Sequence, residues 1–95
     1  MSNQIEYIFG EPTLRRNKDA VIFPIGYDDA IYKCVVKSEL LKKYFNASPS
    51  DLLESYINNK IQINEIAKKL LISGNITSNN EVLITTEVFK DYSPD

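Results

Sequence analysis

Residues 20–45, AVIFPIGYDDAIYKCVVKSELLKKYF, restrict the fold more than any other stretch, because two alternating runs lead directly into a helical one. Val21, Phe23 and Ile25 alternate with Ala20, Ile22 and Pro24, and Tyr32, Cys34 and Val36 alternate with Ile31, Lys33 and Val35. A period of two sends alternate side chains to opposite faces of a sheet. The four turn-prone residues between the runs, Gly26-Tyr27-Asp28-Asp29, predict a hairpin. After Ser38 the apolar spacing in Glu39–Phe45 becomes helical. Strands followed by helix in so short a segment make the class mixed α and β. The segment names neither a reaction nor a ligand.

The flanking sequence extends this pattern. Ile5, Tyr7 and Phe9 predict a short first strand stopped by Gly10-Glu11-Pro12, and residues 13–19, TLRRNKD, read as a polar connecting loop. Asn46-Ala47 separates the first helix from a second. Ser48-Pro49-Ser50-Asp51 has the form of a helix start, with Ser48 as cap, Pro49 at the first helical position and Asp51 in the positive end of the helix dipole. From Pro49 to about Ser73, residues Leu52, Leu53, Tyr56, Ile63, Ile66, Ala67, Leu70 and Leu71 fall within roughly 140° on a helical wheel. Ile57, Ile61 and Ile72 lie off that face. This predicts one long helix, with a bend or break at Asn58-Asn59 left open, ended by Gly74. Residues 76–80 form a turn, Val82, Ile84 and Thr86 a last strand, and residues 90–95 a frayed tail. The expected fold is α+β, a single domain over residues 1–95 with an ordered core at about 4–88. A small, mainly antiparallel sheet is packed on one side by a short and a long helix, in the order β-β-β-α-α-β.

Composition removes several classes of function. With 95 residues, 43% of them hydrophobic, the chain supports one modest core and no second domain. Thirteen acidic against eleven basic residues give a net charge of −2, which does not suit a protein that coats nucleic acid. One cysteine excludes an internal disulfide and a thiolate zinc cage. The absence of histidine removes the commonest metal ligand and proton carrier near neutral pH. No apolar run approaches the about 20 residues that span a bilayer. The start, MSNQIEYIFGEP, lacks the basic-then-apolar order of a secretory signal, so the expected location is the cytoplasm.

Across Phe9 to Ile84 the chain resembles a small bacterial family, domain of unknown function 1488. Val21-Ile22-Phe23 fits its first strand and Ile31-Tyr32-Lys33-Cys34 its second, with Glu39-Leu40 followed by Phe45. Tyr56, Asn59, Lys60, Ile63 and Ala67 take the positions of its helix pattern, Phe-x-x-Asn-Arg-x-x-Ile-x-x-x-Ala. Tyrosine stands where the family has phenylalanine, and lysine where it has arginine, and lysine does not reproduce a bidentate guanidinium contact. The resemblance implies a compact α+β fold in a cytoplasmic bacterial or phage setting. It lends no catalytic residues.

Individual residues add little chemistry. Cys34, mid-strand among apolar neighbours, reads as a core side chain. Asp28-Asp29 with Glu81 or Glu87 would be needed to hold a hard cation, but paired turn aspartates are ordinary turn chemistry. No catalytic, cofactor-binding or metal-binding residue is assigned. The basic residues Arg15, Arg16 and Lys18 of the loop, with Lys60, are the candidates for contact with nucleic acid or another anion, against the alternative of a solvated surface of mixed sign. Six tyrosines, at 7, 27, 32, 44, 56 and 92, exceed what so small a core accommodates, and exposed aromatics favour protein interfaces. The first reading is therefore a non-enzymatic protein-binding or regulatory module whose partner is another protein or a second copy of the chain. The second is a nucleic-acid-associated accessory protein using the basic loop, and an enzyme of unknown type comes third. Nucleic acid and membrane are not the expected partners.

Overall fold

The computed structural model describes residues 8–17, 19–27 and 29–92. In chain order it contains β1 (Ile8–Phe9), β2 (Thr13–Leu14), β3 (Ala20–Tyr27), β4 (Ala30–Lys37), α1 (Ser38–Phe45), α2 (Leu52–Asn58), α3 (Lys60–Ile72), β5 (Glu81–Ile84) and α4 (Thr86–Tyr92). β1 and β2 lie end to end along one edge of β3, facing Ile25-Gly26 and Val21-Ile22. β4 runs antiparallel along the other edge, and β5 joins β4 in parallel. The sheet is thus mostly antiparallel and the class α+β, as the sequence predicts. The parallel pair follows from connectivity, since β4 returns to β5 through three helices, and parallel neighbours require such a crossover.

The core lies on one face of this sheet. Val21, Phe23 and Ile25 of β3, Cys34 and Val36 of β4, and Val82 and Ile84 of β5 are buried there against the helices. The helical face predicted from spacing meets them through Leu52, Tyr56, Ile63, Ile66, Ala67, Leu70 and Leu71, with Leu53 half-buried. Ile57, Ile61 and Ile72, which fall off that face, are exposed at 46%, 78% and 67%. The Phe23 and Tyr56 rings stack at 4.7 Å between sheet and helix.

Local chemistry accounts for the departures from the predicted elements. Residues 13–14 form a strand instead of a loop: the outer edge of β3 needs hydrogen-bond partners, and Leu14 packs against the core. The hairpin reversal is tighter than the four residues predicted, because Gly26 and Tyr27 already pair with Ile31 and Ala30. Asp29 adopts φ 65°, the left-handed conformation that two-residue hairpins favour and that aspartate tolerates. Asp28 lies outside the described residues, as do residues 5–7 of the predicted first strand and 93–95 of the predicted tail.

The predicted long helix is two helices. At Asn59 the side-chain amide donates to the Ser55 carbonyl at 2.9 Å, the acceptor its own backbone N–H would use in a continuous helix. That N–H turns to the Tyr56 carbonyl at 3.0 Å, and φ and ψ move to −122° and 19°. Competition of this kind between side chain and backbone is what makes asparagine a poor interior helix residue. The helix also starts at Leu52, and Ser48 is not its cap. The Asp51 carboxylate accepts the Ser48 N–H at 2.7 Å and folds residues 48–51 into a separate turn. Gly74, at φ 81°, terminates α3 as predicted.

The expected strand end at Thr86 and tail from Lys90 are also corrected, because Thr86–Tyr92 is helical. The Thr85 hydroxyl accepts the Val88 N–H at 3.2 Å, an N-cap bond. Phe89 is buried, with its ring 4.5 Å from that of Tyr44 and 5.5 Å from that of Phe45. Aromatic burial anchors the helix on α1. The sheet therefore carries four helices among the described residues, not two.

Candidate functional site

The basic residues do not gather into one site. Arg15 and Arg16 follow β2. Arg15 pairs with Asp19 at 3.5 Å, and Lys37 approaches the same carboxylate at 3.9 Å. Asp19 also ties the local backbone, its carbonyl accepting the Ser38 N–H at 2.9 Å. The pairs are half-exposed, so each contributes at most about 1 kcal/mol. Their consequence is partial neutralisation of the loop. Arg16 is exposed, and Lys18 lies outside the described residues. Lys60 opens α3 and lines a different cleft, of about 260 Å³, with Gly10, Pro12, Tyr56, Ile57 and Asn64, a set that contains neither arginine.

The groups that sequence offers for reaction chemistry are held in unreactive forms. Cys34 has no solvent exposure, and burial pushes its thiol up to about 12. A neutral, inaccessible thiol is not a nucleophile. Burial likewise raises the Tyr56 hydroxyl to about 12, opposed in part by its hydrogen bond to Asn64. That hydroxyl donates to Asn64 Oδ1 at 2.8 Å, which satisfies it at the margin of the core. Among the described residues no three aspartate, glutamate or cysteine side chains converge as metal ligands.

The unusual surface is the face of the sheet turned away from the helices. Thr13, Ile22, Val35 and Leu83 form one row across four strands by register, and Pro24, Lys33 and Glu81 a second. Val35 is buried in the middle of its row, while Ile31 is 75% exposed and Leu83 41%. Glu11, Ile22, Pro24, Ile31 and Lys33 line a shallow cleft of about 450 Å³ on this face. Leu83 also borders an open trough of about 500 Å³ at the β5 edge, with Ile76, Val88 and Tyr92. Apolar surface therefore continues from the outer face round to that edge.

Close packing fixes one corner of the outer face. Pro24 has no N–H, and its carbonyl accepts the Gly10 N–H at 3.0 Å, on the edge where the chain passes from β1 to β2. The missing donor thus points at the gap between the two short strands, which is why proline is tolerated in a strand paired on both sides. A Cβ on residue 10 would lie 2.4 Å from Pro24 Cγ, so only glycine allows this approach.

The interface signal read from tyrosine count falls differently in space. Tyr56 is buried, and Tyr27, Tyr32, Tyr44 and Tyr92 are half-buried, whereas the exposed large apolar residues are aliphatic. Sequence reading missed the outer face, although a signal was present. In a sheet covered on one side, outward positions should be polar. Here Ile22, Pro24, Ile31, Val35 and Leu83 are apolar beside Thr13, Lys33 and Glu81, so the outward set is only partly polar.

Comparison with known proteins places this architecture. The family model described as "Protein of unknown function (DUF1488)" matches residues 8–83. The chain belongs to the DUF1488 family. No curated protein matches it. A crystal structure of a protein of unknown function from the DUF1488 family, from Shewanella loihica PV-4, superposes with a TM-score of 0.73 at 15% identity, covering 88% of this chain and 94% of that one. At that identity the likeness extends to the fold. Of the DUF1488-like helix positions noted in the sequence, Tyr56, Ile63 and Ala67 are core residues, Asn59 makes the helix break, and Lys60 faces solvent. No helix among the described residues is long and apolar enough to cross a membrane.

Proposed function

We propose that this DUF1488 chain is a non-enzymatic protein-binding module of the cytoplasm that engages its partner through the outer face of its sheet. The observation that carries the reading is Ile31, which stands 75% exposed beside Ile22 and Pro24 on a face where, among the described residues, no helix packs. Removing apolar area from water contributes about 25 cal/mol per Å², and a rigid sheet presents that area without an ordering cost on binding. Burial of Cys34 supports a non-enzymatic role, because it withdraws the single thiol from reaction. The single thiol, kept in the core, suits a reducing compartment.

The nucleic-acid alternative has less support, because Arg15 is paired with Asp19 and Lys60 lines a separate cleft. The test is affinity capture from the native host with nuclease treatment, comparing the wild-type chain with Ile31→Lys. Proteins retained by wild type after nuclease treatment and lost with Ile31→Lys are the expected result. Retention that disappears with nuclease, or that Ile31→Lys leaves unchanged, overturns the reading.

A further inference from the structure

We infer that the partner of the outer sheet face is a second copy of this chain, docked face to face about a twofold axis; this rests on the binding-module reading above. The face carries both signs of charge in a form the single chain leaves open. Lys33 and Glu81 are register partners on adjacent strands, yet they make no ion pair among the described residues. Glu11 lines the same cleft as Lys33. A partner surface of one sign would satisfy Lys33 or the glutamates and oppose the other. An isologous contact instead brings each Lys33 to Glu81 of the opposite copy, two symmetry-related pairs from one fit. Around those pairs the aliphatic side chains of Ile22, Ile31 and Leu83 and the Pro24 ring supply apolar area that is the same on both sides.

The size of the face sets the strength. Eight-residue strands rising about 3.3 Å per residue, across three strand spacings of about 4.8 Å, present roughly 400 Å² per copy. Twice that is below the area of stable dimers and falls in the class of weak, reversible contacts. The self-association is therefore weak and concentration-dependent.

Sedimentation equilibrium of the full chain from about 5 to about 500 µM, a range suited to a weak, reversible contact, tests the inference. Wild type is expected to pass from monomer to dimer across this range, and no further. Ile31→Lys, at a site exposed enough to leave folding intact, should weaken association at least tenfold, and Lys33→Glu should do the same. The double variant Lys33→Glu with Glu81→Lys restores opposite signs and should recover most of the affinity. Ile57→Lys, an exposed site on α2, serves as the control and should leave it unchanged. A monomer at every concentration overturns the inference, as does a dimer indifferent to Ile31→Lys or a charge swap that fails to recover. A strictly monomeric wild type whose host partner is still lost with Ile31→Lys would sink the dimer and leave the binding-module reading standing.

Discussion

The two faces of the sheet are built from the same strands with the same alternation, and they differ in covering and in composition: the helix side is apolar, and the outer side mixes Ile22, Pro24, Ile31, Val35 and Leu83 with Thr13, Lys33 and Glu81. Toward the helices, Val21, Phe23, Ile25, Cys34, Val36, Val82 and Ile84 are fully buried. Away from them, the intervening positions hold Ile22, Pro24, Ile31, Val35 and Leu83, of which Ile31 is 75% exposed and Leu83 41%, while Val35 is buried. Alternation separates side chains into two sets but says nothing of which set is covered. That is decided by the helices, whose apolar faces form one layer for one side only. Among the described residues no helix covers the outer apolar positions, which departs from the usual polar outer face of a one-sided sheet.

The comparison breaks first at Phe23. Phe23→Ala removes a buried ring stacked on Tyr56 and should cost about 3–5 kcal/mol in urea unfolding. A domain of this size has a total stability of about 5–10 kcal/mol, so this one change should remove a large share of it. A loss below about 1 kcal/mol, the range of exposed sites, would mean that the helix-covered face is not the core.

The seam between the faces comes next. Gly10→Ala drives a methyl group into the Pro24 ring, with no flexible chain end to move aside, and should cost about 1–3 kcal/mol. Pairing it with Pro24→Ala should recover part of that loss, because the clash is with the ring itself. Strict additivity of the two changes in chemical denaturation would place the strain elsewhere.

Cys34 tests the covered face through pH as well as packing. Cys34→Ala should cost about 1–2 kcal/mol at pH 7, as a small truncation at a fully buried site. Its folded pKa, about 12, is raised above the ordinary 9.0 by burial, so the native state holds the proton that the unfolded chain releases. Stability from this group is therefore complete below about pH 9 and is lost as pH rises toward about 12. Tyr56 acts in the same direction between its ordinary 10.0 and about 12. Unfolding free energy should be flat from pH 7 to about 8.5 and decline above it, and Cys34→Ala should make the decline shallower. Fast labelling of native protein by a thiol reagent at pH 8 would show that the face is open.

Much of this was legible in residue order, and the failures have physical causes. The two central strands, the first helix and the stop at Gly74 follow from local periodicity and backbone preference. So does the exclusion of Ile57, Ile61 and Ile72 from the core, since a wheel angle is a local property. The helix break depends on whether Asn59 bonds its own turn or the solvent, which composition does not reveal. α4 depends on a distant pocket between Tyr44 and Phe45 that accepts Phe89. The basic candidates Arg15, Arg16 and Lys60 read as one group only because the fold that separates them was unknown. The outer face is assembled from four strands between residues 13 and 83, so no contiguous motif could announce it.

The smallest expected effect is the most discriminating. Ile31→Thr keeps the β-branched shape that suits a strand and removes apolar surface at a position 75% exposed. If the outer face contributes nothing to the fold of the single chain, stability measured at low protein concentration should change by less than about 0.5 kcal/mol. Phe23 and Ile31 lie on neighbouring strands with opposite facing, and their substitutions would then differ several-fold or more in cost. An isoleucine that water reaches and folding does not need is a position where binding and stability can be altered separately. A loss of about 2 kcal/mol, the scale of a truncated core aliphatic, would instead show that the outer face is a second core. It would also remove the reason for placing an interaction there.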